Sequence, residues 1–126
     1  MLSDKKAVAV LPATDLKRAK DFYTEKLGLK ILNEPPGMLA VGAGEDTMFT
    51  VYERPEGTKA DHTVLDFSVG DIEKEVADLK ARGVIFEEYD MPEMGIKTEN
   101  GIAIIGDWKS AWFKDSEGNI IGLDQM

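Results

Sequence analysis

The chain has 126 residues, 43% of them hydrophobic and 31% charged, a balance that suits one compact globular unit and excludes disordered and fibrous classes. Its net charge of −9, with Lys and Arg scattered, excludes general nucleic-acid binding; acidity of this kind keeps a protein soluble or attracts a cationic ligand. Without cysteine there is no disulfide, thiolate metal site or Cys nucleophile, and without a signal-peptide pattern or a membrane-length apolar run the expected compartment is the cytoplasm, with no membrane partner.

Residues 7–11 (AVAVL) predict a strand closed by Pro12, which fits a strand end better than its middle. Thr14 or Asp15 can cap the helix that follows, in which Leu16, Ala19, Phe22 and Tyr23 form one apolar stripe. Gly28 stops it. Residues 29–32 resume an extended path, Pro35-Pro36-Gly37 interrupts it, and residues 38–41 and 47–53 are two further strands around a Gly-rich turn. Residues 55–61 are polar and read as a linker. The pattern then restarts. Residues 62–69 predict a strand, Asp71 caps a helix with the stripe Ile72, Val76 and Leu79, and Gly83 ends it. A strand is expected to begin at residues 84–86. Residues 87–101, with Met91, Pro92, Met94 and Gly95, read as a long irregular connection of the kind that forms lids or dimer contacts. Residues 102–105 are apolar. Residues 111–126 close the chain as a hairpin whose turn is Asp115-Ser116-Glu117-Gly118, with Trp108 just before it.

The two halves repeat. AVAVLPATDLKRAKDFYTEKLGLKI parallels HTVLDFSVGDIEKEVADLKARGVIF, each a strand, an Asp-led helix, a Gly and a strand. The expected fold is α+β. Two βαβββ modules, residues 5–54 and 62–126, pair within a single domain into an open, curved mixed sheet around a cleft, with the helices outside.

Three stretches carry a resemblance: D-L-x-R-A-x-D-F-Y-x-x-x-L-G-L at 15–29, D-I-x-x-x-V-x-x-L-x-x-R-G-V at 71–84, and the hairpin FKDSEGNIIGL at 113–123. In this order they resemble the vicinal oxygen chelate superfamily of glyoxalases, bleomycin resistance proteins and dioxygenases. The resemblance implies a divalent metal held by His and Glu side chains from four strands. The matching positions here are Val8, Thr50, Val64 and Gly122, none a strong ligand. His62 is the only histidine; with Asp66 or Asp124 it is the remaining candidate for an atypical site. The expectation is therefore no metal and no cofactor, since P-loop and dinucleotide fingerprints are also missing.

Strand parity turns Val8, Val10, Thr50, Tyr52, Val64, Trp112 and Gly122 to the inner face, with Trp108 at the mouth. Gly122 is expected to leave a hollow where the family places Glu, walled by Trp112, which suits a planar or cationic molecule. The function expected from the resemblance is metal-free binding of a small aromatic or cationic organic molecule such as an antibiotic, in a homodimer. Two rivals stand beside it. One is a lyase, isomerase or dioxygenase with a displaced metal site or cofactor-free acid–base chemistry; the other is an interaction module whose cleft its own side chains fill.

Overall fold

A computed structural model describes residues 1–126. The first repeat forms β1 (Ala9–Ala13), α1 (Leu16–Asp21), β2 (Lys30–Asn33), β3 (Met38–Gly42) and β4 (Met48–Glu53). The second forms β5 (Thr63–Ser68), α2 (Ile72–Ala81), β6 (Asp90–Met91), β7 (Ile96–Glu99), β8 (Ile102–Ile105), β9 (Trp108–Lys114) and β10 (Ile120–Gln125). The sheet orders are β1-β4-β3-β2 and β5-β10-β9-β8-β7-β6. In each the first strand runs parallel to the last, and every other pairing is antiparallel. The repeat in sequence is thus a repeat in topology, and the fold is of the expected α+β class, with the two modules forming two open mixed sheets where one curved sheet was expected. β1 and β5 meet at the seam between them. No helix is long and apolar enough to cross a membrane.

Both helices start as their sequences dictate. Asp15 accepts a hydrogen bond from the Arg18 N–H at 3.0 Å, and Asp71 one from Lys74 N–H at 3.2 Å, each satisfying a donor that the first turn leaves free. The first helix does not run on regularly to Gly28. It widens into a π turn over Phe22–Lys26, where the Thr24 hydroxyl also donates to the Lys20 carbonyl at 2.9 Å.

Two further expectations are corrected in the second repeat. Residues 84–86 form no strand beyond a single bridge from Phe86 to Phe113. Residues 87–101 are largely ordered rather than an irregular connection. They make the β6–β7 hairpin around the short helix Pro92–Met94, and Asn100-Gly101, both at positive φ, turn β7 into β8. β9 also begins earlier than expected, so Trp108 is its first residue.

One buried cluster joins the two sheets. Alternation sends Leu11, Ala13, Phe49 and Val51 from the first sheet, and Phe113, Ile121 and Leu123 from the second, to the side carrying Ala19, Tyr23, Ile72 and Val76 of the helices. The closing hairpin fastens this arrangement. Asp115 accepts the N–H groups of Glu117 and Asn119 at 2.8 and 2.9 Å, while its other oxygen takes the Tyr23 hydroxyl and the Asn119 amide. The Asn119 amide also donates to the Pro12 carbonyl at 3.0 Å. Glu117 reaches across to the start of α1. It accepts from the N–H groups of Thr14 and Asp15 at 3.0 and 3.1 Å and from Arg18 Nε at 2.8 Å. The turn that makes the hairpin therefore also docks the first helix.

Candidate functional site

The face of each sheet away from the core is open. Val8, just before β1, and Val10 on it are 41% and 57% exposed although both are apolar, whereas Leu11 is fully buried. Thr50 and Tyr52 are half-buried on that same face, and the Thr50 hydroxyl is enclosed without a hydrogen-bond partner. On the second sheet Val64 and Trp112 line a shallow depression of about 360 Å³ together with Thr63, Leu65, Asp66 and Asp124. Trp108 shares the parity of Trp112 on β9, but it lies at the strand's far end, paired with Ile105, and does not line this depression. The seven residues picked out by parity, and Trp108 with them, therefore divide. Val64, Trp112 and Gly122 cluster on the second sheet, four lie on the first, and Trp108 is at the rim.

The divalent metal that the resemblance implies finds no ready ligand set at the matching positions. Valine at 8 and 64 and glycine at 122 offer no donor, the Thr50 hydroxyl is a weak one, and no group of three or more His, Asp or Glu side chains converges anywhere on the chain. His62 is exposed at the foot of β5, its Nδ1 3.2 Å from the Thr63 carbonyl. It is not joined to either aspartate.

The same face carries two carboxylates, Asp66 and Asp124. β5 and β10 are parallel, and the register sets Asp66 beside Gly122 and Ser68 beside Asp124. Asp66 and Asp124 thus rise on the same face, two residues apart along neighbouring strands. The Asp66 carboxylate leans over Gly122, so a Cβ built on that glycine would overlap its Oδ1 and meet the Thr63 methyl at 3.3 Å. The space over Gly122 is not a hollow. It is the seat of Asp66. Asp124 in turn accepts the Ser110 hydroxyl from β9. Burial, then a hydrogen bond from Asp66 to Asp124 and the charge of Asp124, push the Asp66 pKa up to about 7.

An aromatic wall stands beside the pair. The Tyr89 ring meets Trp112 edge-on, with centroids 5.4 Å apart and planes at 60°. Tyr89 is held by its own N–H, which donates to the Thr98 hydroxyl at 2.7 Å; burial, with the charge of Glu87, raises its phenol pKa. Sequence reasoning missed Tyr89 because it falls in the stretch read as irregular. It also left Asp66 and Asp124 without a common point, although their parity alone placed both on this face.

Two mixed sheets with parallel outer pairs, helices behind them and an open face in front define a paired βαβββ protein. The chain belongs to the Glyoxalase/Bleomycin resistance protein/Dioxygenase superfamily, whose sequence model matches residues 7–123. Among solved structures it is similar to a glyoxalase/bleomycin resistance protein/dioxygenase from Alicyclobacillus acidocaldarius. That match has a TM-score of 0.74 and 15% identity over 97% of this chain and 91% of the other. TnmS3, an antibiotic binding protein from Streptomyces sp. CB03234, is 27% identical over 97% of both chains, with a TM-score of 0.67. A lactoylglutathione lyase from Agrobacterium tumefaciens is 20% identical over 97% of this chain and 93% of that one, also at 0.67. No curated protein sequence matches the chain.

Proposed function

We propose that this protein binds a small planar organic molecule on the open face of its second sheet, without a metal. The observation that carries the reading is the composition of that face. Positions that hold metal ligands in the resembled family are apolar or bare here, while Trp112 and Tyr89 form an aromatic wall beside the depression lined by Val64, Asp66 and Asp124. Indole is the strongest ring for stacking on a flat or cationic partner, and a carboxylate pair beside it favours positive charge. TnmS3, the 27% identical protein described as antibiotic binding, supports the same class of activity. Val8, Val10, Thr50 and Tyr52 extend an apolar surface on the first sheet. In a homodimer, which we propose as the working form, such a surface is suited to closing the shallow depression of a second copy. The whole chain then acts as a single domain, in the cytoplasm.

The test is a fluorescence screen of planar cationic and neutral compounds against purified protein. Ligands that bind here change Trp emission in the wild type and in Trp108→Phe, and lose that change in Trp112→Phe. A response that persists unaltered in Trp112→Phe would put the ligand elsewhere and refute the assignment.

A further inference from the structure

The disagreement between this site and its family's metal centre has a structural form. A side chain at position 122 and the present position of Asp66 exclude one another, because the carboxylate fills the volume in which any Cβ would start. Glycine stands where the resemblance implies a metal-ligating Glu, and the Asp66 carboxylate of the neighbouring strand lies over it. There it meets Asp124, and two carboxyl groups can hydrogen bond only through a proton. From β9 the Ser110 hydroxyl also donates to Asp124.

No Lys or Arg lines either of the two depressions that Asp66 borders. From β10 the pair faces Gly122 and Asp124; from β9, Ser110 and Trp112, neither of which titrates near neutral pH. Across the seam the β3–β4 turn contributes Glu45 to a second depression that Asp66 also lines. β1, which meets β5 at the seam, carries the exposed, uncharged Val10. On β5's own approach, His62 is exposed and turned to the Thr63 carbonyl. The charged residues lining the two depressions, Asp66, Asp124 and Glu45, are therefore all acids. The depression is also open beside the Trp112–Tyr89 wall, so a flat molecule lying on the ring brings its edge to the carboxylates.

We propose that Asp66 and Asp124 hold one shared proton where the family holds a metal, and that a cationic nitrogen of the bound ligand takes that proton's place. The ligand class is a planar aromatic bearing a fixed or protonated nitrogen at its edge. This deepens the binding reading above and rests on it. On binding, the proton passes to solvent, the nitrogen lies between the two carboxylates, and no covalent bond changes. Because burial and the neighbouring Asp124 raise the Asp66 pKa, and only the deprotonated pair accepts the cation, binding tightens as pH rises through neutrality.

Two measurements on metal-depleted protein test this. In carboxyl-carbon NMR of Asp-labelled protein, one signal should titrate near neutrality and vanish in Asp66→Asn. Ordinary carboxylate titration of both residues, or a divalent ion that binds stoichiometrically and abolishes the neutral step, overturns the shared proton. The second measurement compares N-methylquinolinium, a permanent cation, with the neutral N-methyl-2-quinolone of the same shape, by Trp fluorescence. The cation should bind roughly tenfold more tightly at pH 8 than at pH 6, the neutral compound should show no such slope, and Asp66→Asn should flatten the cation's slope. Asp124→Asn is the second variant should the first fold poorly. Equal, pH-independent binding of both compounds leaves the cleft reading standing and overturns the carboxylate pair. Binding of neither compound at millimolar concentration overturns both.

Discussion

Replacing Glu117 by Gln tests the claim that the hairpin turn is also the dock for the first helix. The Glu117 side chain is 1% exposed, with its carboxylate across the N-terminus of α1, while its partner Arg18 is 53% exposed. Burial works against its ionisation. Hydrogen bonds from Arg18, Ser116 and the Asp15 N–H, with the guanidinium's charge, prevail and hold its pKa at about 2 against an ordinary 4.5. That displacement sets a ceiling of roughly 3 kcal/mol on the stability it contributes. Since Arg18 faces water, solvent screening cuts the expected contribution to about 1–2 kcal/mol. Glutamine keeps the shape and can still accept from the Thr14 and Asp15 N–H groups, but its amide NH₂ confronts the Arg18 donor. The folded pKa is depressed, so the stabilisation is full above pH 4.5 and is lost as pH falls toward 2. Urea unfolding at pH 7 should therefore show Glu117→Gln weaker by about 1–2 kcal/mol, a melting temperature lower by roughly 3–10 °C, and the gap should narrow below pH 4. A variant as stable as wild type at pH 7, or a gap unchanged at pH 2.5, would refute the dock.

Gly122→Ala should fold, because Gly122 has no positive φ and the obstructing atom is the end of the Asp66 side chain; its cost is the displacement of Asp66. The neutral carboxyl titration should then disappear with little change in melting temperature, and a variant that keeps the titration would show that Asp66 does not need this seat. Gly122→Glu restores the family's residue type without ligands at Val8 or Val64, so calorimetry with Zn²⁺ or Mn²⁺ should show no one-to-one uptake. For assembly, light scattering at micromolar concentration should give twice the chain's 13.9 kDa, and the monomer's mass there would count against the dimer.

The fold was legible because its signals are local. Asp15 and Asp71 cap helices whose stripes fall at helical spacing, Gly28 and Gly83 end them at positive φ, and the order of these signals repeats. The β6–β7 hairpin was not legible, since strands of two and four residues are too short to show alternation and Pro92 and Gly95 break what there is. The π turn over Phe22–Lys26 carries no compositional mark of its own, and the sequence reads straight through it as helix.

The site was half legible for a different reason. Parity along one strand says which face a residue shares, and it put Asp66, Trp112, Gly122 and Asp124 on one face. Which of them touch depends on register between β5 and β10, strands more than fifty residues apart in sequence. A bulge between Ile120 and Ile121 shifts that register by one on β5, so that Asp66 rather than Leu65 lies beside Gly122. Counting along the chain could find the missing metal ligand at 122, but it could not find what fills the gap. That required the parallel pairing, which joins the two positions into one constraint: with glycine at 122 the Asp66 carboxylate can lie over the strand and reach Asp124, and with any larger residue there it must swing outward to solvent. A change at either position alone therefore alters the charge of the face that Trp112 walls, and on the reading proposed here the binding chemistry follows from that pair of positions taken together.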